Sequence, residues 1–197
     1  MPRIAAENIE EHLRQQTERI LDAASWSFTE NGYRGTDLGK IAKRTGLARN
    51  SLYRYFPSKD HILVAVLQRE MAPYVERSNA LERDFPDPRK RIDAWLNLQM
   101  ELAAGPCHSM MGMLGDMTDA SEDLRRQIGS LHVGPRAALE KIVTDLLDGS
   151  GRDPNVVSGM IAGMVQSAGG AAMYSDDPES VIAELKKSVG NVLTNGD

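Results

Sequence analysis

The chain has 197 residues, 41% of them hydrophobic and 26% charged, which is long enough and apolar enough to bury a real core. Its single cysteine, Cys107, excludes an intrachain disulfide framework and fits a reducing compartment. No apolar stretch follows Met1-Pro2-Arg3, which runs instead into Glu7 and Glu10, so no signal peptide is read and a cytoplasmic location is expected.

Apolar residues recur with helical rather than two-residue spacing along nearly the whole chain. Leu13, Ile20, Ala24 and Phe28 line one face of a first helix, with Asn31-Gly32 as its stop. Thr36 is the expected cap of a short second helix that carries Leu38, Ile41 and Ala42 and ends at Gly46. A third short helix is predicted from Arg49 to Tyr55, stopped by Pro57. Ser58 then caps a fourth, with Ile62, Leu63, Val66 and Leu67 on its apolar side. Pro73 should bend or end that fourth helix, and Asp84-Phe85-Pro86-Asp87-Pro88 separates it from a fifth bearing Ile92, Trp95, Leu96 and Leu102. After Gly105-Pro106 comes a short methionine-dense segment, Cys107 to Met117. A long helix from Ser121 to Leu147 is predicted next, kinked at Pro135. The last two helices open with the same device, Asp153-Pro154 and Asp177-Pro178, an acid cap followed by proline at the first helical position. The expected fold is all-α, with about nine helices. A three-helix unit, residues 1–57, precedes a larger helical body, residues 58–197.

The net charge of −5 is unevenly spread. Between Arg34 and Lys59 stand seven basic residues and one acid, Asp37, a local charge of +6 that leaves −11 on the rest. A surface that binds phosphate needs positive potential only within a Debye length, about 8–10 Å at physiological salt. Two short helices joined at Leu47 and preceded by a longer one form a helix-turn-helix pattern. Its last helix is short enough for the major groove of DNA.

The run Thr36-Asp37-Leu38-Gly39-Lys40-Ile41-Ala42-Lys43-Arg44-Thr45-Gly46-Leu47-Ala48-Arg49-Asn50-Ser51-Leu52-Tyr53-Arg54-Tyr55-Phe56-Pro57-Ser58-Lys59 resembles the DNA-binding signature of the tetracycline-repressor (TetR) family. The matching features are the threonine, the Ile41-Ala42 pair, the Gly46-Leu47 turn, Leu52-Tyr53, Tyr55-Phe56 and Lys59 opening the next helix. The resemblance implies base-edge contacts from Arg49, Asn50 and Arg54, arginine to guanine and asparagine to adenine. It implies phosphate contacts from Thr36, Ser51, Tyr53, Tyr55 and Lys59, with Lys40 as a weaker candidate. Tyr53 reads equally well as packing, Phe56 as core, and Lys43 and Arg44 as solvated charges. One residue departs from the family pattern. Ala48 stands where serine usually caps the reading helix, so that helix is expected to fray until DNA orders it.

Eight methionines lie beyond Pro73, and methionine adapts to irregular apolar space. In the resembled family the body holds a small-molecule pocket, and Trp95, Gln99, Met110, Met113 and Met117 suit an apolar lining, although ordinary core packing accounts for each singly. From Pro154 to Ser175 there is no charged side chain, but Ser158, Gln166, Ser167 and four glycines make a membrane span a poor reading. A buried helix approached closely by another fits better. Gly159, Gly163 and Gly170, with Ile182, Leu185 and Val189 of the last helix, are the candidates for a two-fold dimer interface.

An enzyme is the weaker alternative. Cys107 and His108 are adjacent and point about 100° apart on a helix. His12, His61, His108 and His132 show no metal spacing, and Asp116 with Asp119 is a pairing common at exposed helix ends. No metal and no cofactor are expected. The sequence therefore reads as a ligand-responsive homodimeric transcriptional regulator, a repressor by preference, whose partners are double-stranded operator DNA, a second copy of itself and a small effector, with no membrane. A DNA-binding regulator without a ligand is the other reading.

Overall fold

The computed structural model describes residues 2–117, 121–131 and 133–194. Among them are ten α-helices, one 3-10 turn and no strand, as the helical periodicity requires. Contacts divide the chain into two compact units, Met1–Glu70 with Ser109–Ile128, and Met71–His108 with Gly129–Asp197.

Helix α1 (Pro2–Gly35) is broken at Gly32, whose φ of 64° and ψ of 178° lie in a region essentially reserved for glycine. A last helical turn follows. Its inner face is Ile20, Leu21, Ala24 and Phe28, all buried, while Leu13, expected to open that face, is 46% exposed. Helix α2 (Leu38–Thr45) ends at Gly46 in the left-handed region, φ 73°. Its cap is not Thr36 but Asp37, whose Oδ1 accepts the Lys40 N–H at 2.9 Å. Helix α3 (Arg49–Leu52) is a single turn, prolonged where the N–H groups of Tyr55 and Phe56 both donate to the Leu52 carbonyl at 2.9 Å. Helix α4 (Lys59–Asp84) opens on Ser58, whose Oγ accepts from the N–H of Asp60 at 3.2 Å and of His61 at 3.4 Å. It neither stops nor restarts at Pro73, which costs it one backbone hydrogen bond to Arg69.

Helix α5 (Pro88–Ala104) uses the acid-proline opening a third time, Asp87 accepting the Arg89 N–H at 2.9 Å. The methionine-dense segment forms α6 (Pro106–Gly112) and the 3-10 turn Met113–Asp116. The single long helix predicted beyond it is two, α7 (Glu122–Ser130) and α8 (Val133–Leu146). Pro135 kinks nothing, because it sits in the first turn of α8, where its missing N–H would have no helical partner anyway. Helices α9 (Pro154–Met173) and α10 (Pro178–Leu193) begin on Asp153 and Asp177 as expected.

In the first unit α1 packs on α2, α2 on α3, and the 3-10 turn on α1. Arg69 of α4 reaches Glu18 at 3.1 Å and Asp22 at 2.8 Å on α1. In the second unit one cluster joins Ile92, Trp95, Leu96 and Met100 of α5, Leu139, Ile142 and Val143 of α8, Val157 and Ile161 of α9, and Leu185 and Val189 of α10. Buried Arg91 is fully engaged by Asp145 at 2.6 Å and the carbonyls of Phe85 and Pro86 at 3.0 Å. A Cβ on Gly169 would lie 3.0 Å from that of Ala103, so this glycine sets the close approach of α5 and α9. Helix α9 is long and apolar enough by composition to cross a membrane, yet its inner face belongs to this core. Contrary to the expectation of a buried helix, its other face is exposed.

Candidate nucleic-acid interface

Amphipathic geometry divides α3 cleanly. Leu52 is fully buried, and Arg49, Asn50, Tyr53 and Arg54 are all exposed. Arg49 and Asn50 lie on α3 itself, and Tyr53 and Arg54 on the turn that follows it, so the helix predicted to reach Tyr55 is shorter but its exposed side chains continue onto that turn. Ser51 and Tyr55 are half-buried at the edge of this exposed face. Ala48 has extended backbone, φ −67° and ψ 142°, with no side-chain acceptor for the first N–H groups of the helix.

Around this face a set of contacts fixes where α1, α2 and α4 meet. Thr36 is 1% exposed, and its Oγ1 lies 2.8 Å from the carbonyl oxygens of both Ser27 and Gly32, so its one proton is spent inside. The Lys59 ammonium donates to the carbonyls of Tyr33 at 2.7 Å and Thr36 at 2.9 Å, and stands 3.8 Å above the Tyr33 ring. The Tyr33 hydroxyl donates to Asp60 in the first turn of α4. Burial pushes that phenol well above its usual range, and the Asp60 carboxylate adds to the effect. Lys40 is exposed and turns back to the Gly35 carbonyl at 2.5 Å. Arg34 is ion-paired with Asp116 at 2.8 Å, and the Arg44 guanidinium lies 3.7 Å over the ring of Trp26. Four of the seven charges of the basic window, on Arg34, Lys40, Arg44 and Lys59, are thus engaged within the protein. Asp37 is exposed, and its carboxyl lies below the usual range chiefly because the Lys40 N–H donates to it.

Residues 20–66, which carry all of this arrangement but Asp116, match the family of bacterial regulatory proteins of the tetR type. The fatty acid metabolism regulator protein of Bacillus subtilis is 25% identical over 182 residues, 90% of this chain and 93% of that protein. Residues 20–66 are thus a segment of tetR type.

Two further likenesses extend the comparison. The transcriptional repressor KstR of Mycobacterium tuberculosis is 42% identical over 109 residues, covering 55% of this chain but only 41% of that one. The crystal structure of the transcriptional regulator FadR of Bacillus subtilis in complex with stearoyl-CoA superposes with a TM-score of 0.67 at 25% identity, covering 91% of this chain and 98% of that one.

The remaining sequence candidates fall into separate places. Trp95 and Gln99 lie on α5 in the second unit, where Trp95 is buried in the core and donates its indole N–H to the Pro135 carbonyl at 3.0 Å. Met110, Met113 and Met117 belong to the first unit, Met110 fully buried and the other two half-buried by the 3-10 turn against α1. Of the dimer candidates, Gly159 and Gly163 are exposed and Gly170 half-buried. Ile182 packs at the edge of the core, and Leu185 and Val189 lie inside it. Asp119 and His132 lie outside the described residues. The capping carboxylate of Asp37 escaped the sequence reading, although its isolation among seven basic residues was a visible signal.

Proposed function

We propose that this protein is a homodimeric transcriptional repressor of the TetR family that places α3 in the major groove of a palindromic operator. The observation that carries the reading is the exposed surface of α3 and the turn after it, inside the family-matched segment: two arginines, an asparagine and a tyrosine. Arg49 and Arg54 read guanine and Asn50 reads adenine. Ser51, Tyr53, Tyr55, Lys40 and Lys59 hold phosphates and set the register. Thr36 is left out because its proton is committed to α1. Residues 1–57 are the DNA-binding domain in this reading, and residues 58–197 serve dimerisation and effector binding.

The effector is a small molecule with a long apolar chain. The stearoyl-CoA complex of the Bacillus subtilis relative supports an acyl thioester as its class. In this chain Ser78 of α4 is 2% exposed and its hydroxyl has no hydrogen-bond partner among the described residues, an arrangement that suits a carbonyl or hydroxyl of a bound molecule.

Selection of bound duplexes from a random-sequence pool tests the reading. Enrichment of an inverted repeat, with half-sites about 34–36 Å apart, is the expected result. Adding micromolar stearoyl-CoA should then release the selected duplex. A pool that never enriches would overturn the DNA-binding reading, and enrichment without release would leave a regulator that answers to something other than an acyl thioester.

A further inference from the structure

Of the seven cations between Arg34 and Lys59, Arg34 alone is ion-paired among the described residues. Lys40, Arg44 and Lys59 meet carbonyl oxygens or aromatic rings, which leave their charge uncompensated. Arg34 meets a carboxylate instead. Its Nε and Nη2 lie 3.0 Å and 2.8 Å from the same oxygen, Oδ1 of Asp116, in the 3-10 turn that packs on α1 within the first unit.

The surroundings of Arg34 are cationic. It stands in the last turn of α1, beyond the break at Gly32. The Lys59 ammonium is held by the carbonyls of Tyr33 and Thr36, on either side of Arg34 in the chain, and the Lys40 ammonium by the carbonyl of Gly35. Three positive side chains therefore start from, or close on, the segment Tyr33–Thr36, where α1 gives way to α2. An ammonium has three donors, so each lysine keeps at least one for an oxyanion. The Arg34 side chain is 85% exposed, and its two nitrogens share one carboxylate oxygen rather than forking across two. Such a pair adds little to stability, so the guanidinium can exchange one oxyanion for another at small cost.

We propose that Arg34 is a further DNA-binding residue, which joins Lys40 and Lys59 on the phosphate backbone, and that Asp116 is an internal anion that occupies it until DNA displaces the carboxylate. This role rests on the DNA-binding reading above. Phosphates are alike whatever the base sequence, so Arg34 adds affinity without selecting a site, and Asp116 lowers affinity for every duplex.

The signs of two substitutions separate this role from a structural one. Arg34→Gln and Asp116→Asn both abolish the ion pair, so a pair that served only to seat the 3-10 turn on α1 would shift DNA binding in the same direction in both. A phosphate ligand and its competitor shift it in opposite directions. The full-length variants are titrated on the duplex selected by the wild-type protein and on a scrambled duplex of the same composition, at several salt concentrations, with thermal melts as the check on folding. Arg34→Gln should weaken both duplexes about three- to tenfold and lower the salt slope by about one, and Arg34→Lys should restore most of that loss. Asp116→Asn should strengthen both duplexes about two- to fivefold, and the gain should vanish in the protein that also carries Arg34→Gln. Shifts in the same direction, or in neither variant, while the wild type binds the selected duplex, would overturn the proposal and leave the DNA-binding reading standing. An Arg34→Gln loss confined to the selected duplex would also overturn it, by making Arg34 a base reader. Wild-type protein that binds neither duplex would bring down the DNA-binding reading, and this role with it.

Discussion

Arg49 on α3 and Arg54 on the turn after it are exposed to solvent, whereas Lys59, read from the sequence as a phosphate ligand, is drawn inward by two carbonyls and a tyrosine ring. The three cations should therefore fail in different ways when removed. Arg49→Ala and Arg54→Ala should each weaken binding to the selected duplex by about 1–3 kcal/mol, with little change on a scrambled one and no change in melting temperature. Lys59→Ala should weaken both duplexes alike. It should also cost about 1–2 kcal/mol of stability, because two carbonyls at the end of α1 lose a charged donor that is only half-buried. Titrations on both duplexes, with denaturant melts alongside, separate the two patterns. An Arg49→Ala protein that binds as wild type would remove Arg49 from the reading face. The sequence could rank these side chains by type and spacing. It could not tell that Thr36 and Lys59 turn inward, since that depends on where the kink at Gly32 sends the end of α1.

At the scale of the element, the rules that worked were local. Gly32 and Gly46 stopped helices, and Ser58, Asp153 and Asp177 started them, each by a backbone requirement confined to a few residues, whereas α3 ended at Leu52, well before Pro57. The rules that failed needed a choice between neighbours. Asp37 won the cap from Thr36 because the threonine proton found better acceptors on α1. Pro135 was read as a kink because Leu131, Leu139 and Ile142 continue one apolar rhythm across what are two helices. The missing cap at Ala48 was legible and is present in the structure, and its consequence is measurable. Ala48→Ser puts a hydroxyl at an extended residue suited to receive the N–H of Asn50 or Ser51, and should stabilise the protein by about 0.5–1 kcal/mol. Amide exchange at Arg49–Ser51 in the DNA-free wild type should be faster than in α1, and slower in the variant. Wild-type protection equal to that of α1 would show that the turn holds without its cap.

At the scale of the whole molecule, the unexplained surface is the outer face of α9. Val156 is 60% exposed, Met160 52% and Met173 47%, with Gly159, Ala162 and Gly163 between them and no charge from Pro154 to Ser175. Small residues without charge let a second helix approach closely, and a two-fold pairing of α9 and α10 would cover the face in both copies. The interface expected from the sequence on these helices takes residues from both sides of them, the exposed face of α9 and the chain's own core. Leu185 and Val189 stabilise their own chain, so Leu185→Ala should cost about 2–5 kcal/mol of folding stability and says little about pairing. Gly163→Lys is the sharper test. A side chain there meets no atom within 4 Å in the single chain, and replacing a mid-helix glycine favours the helix by about 0.5–1 kcal/mol. The variant should fold at least as well as wild type. Its charge, buried in a paired interface without a partner, should nevertheless drive the copies apart. Light scattering should give twice the 21.7 kDa chain mass for wild type and the single mass for the variant. On a palindromic duplex the variant should lose the cooperative step, while its affinity for one half-site stays as it was. A Gly163→Lys protein that remains dimeric and binds the palindrome normally would move the dimer surface off this face of α9.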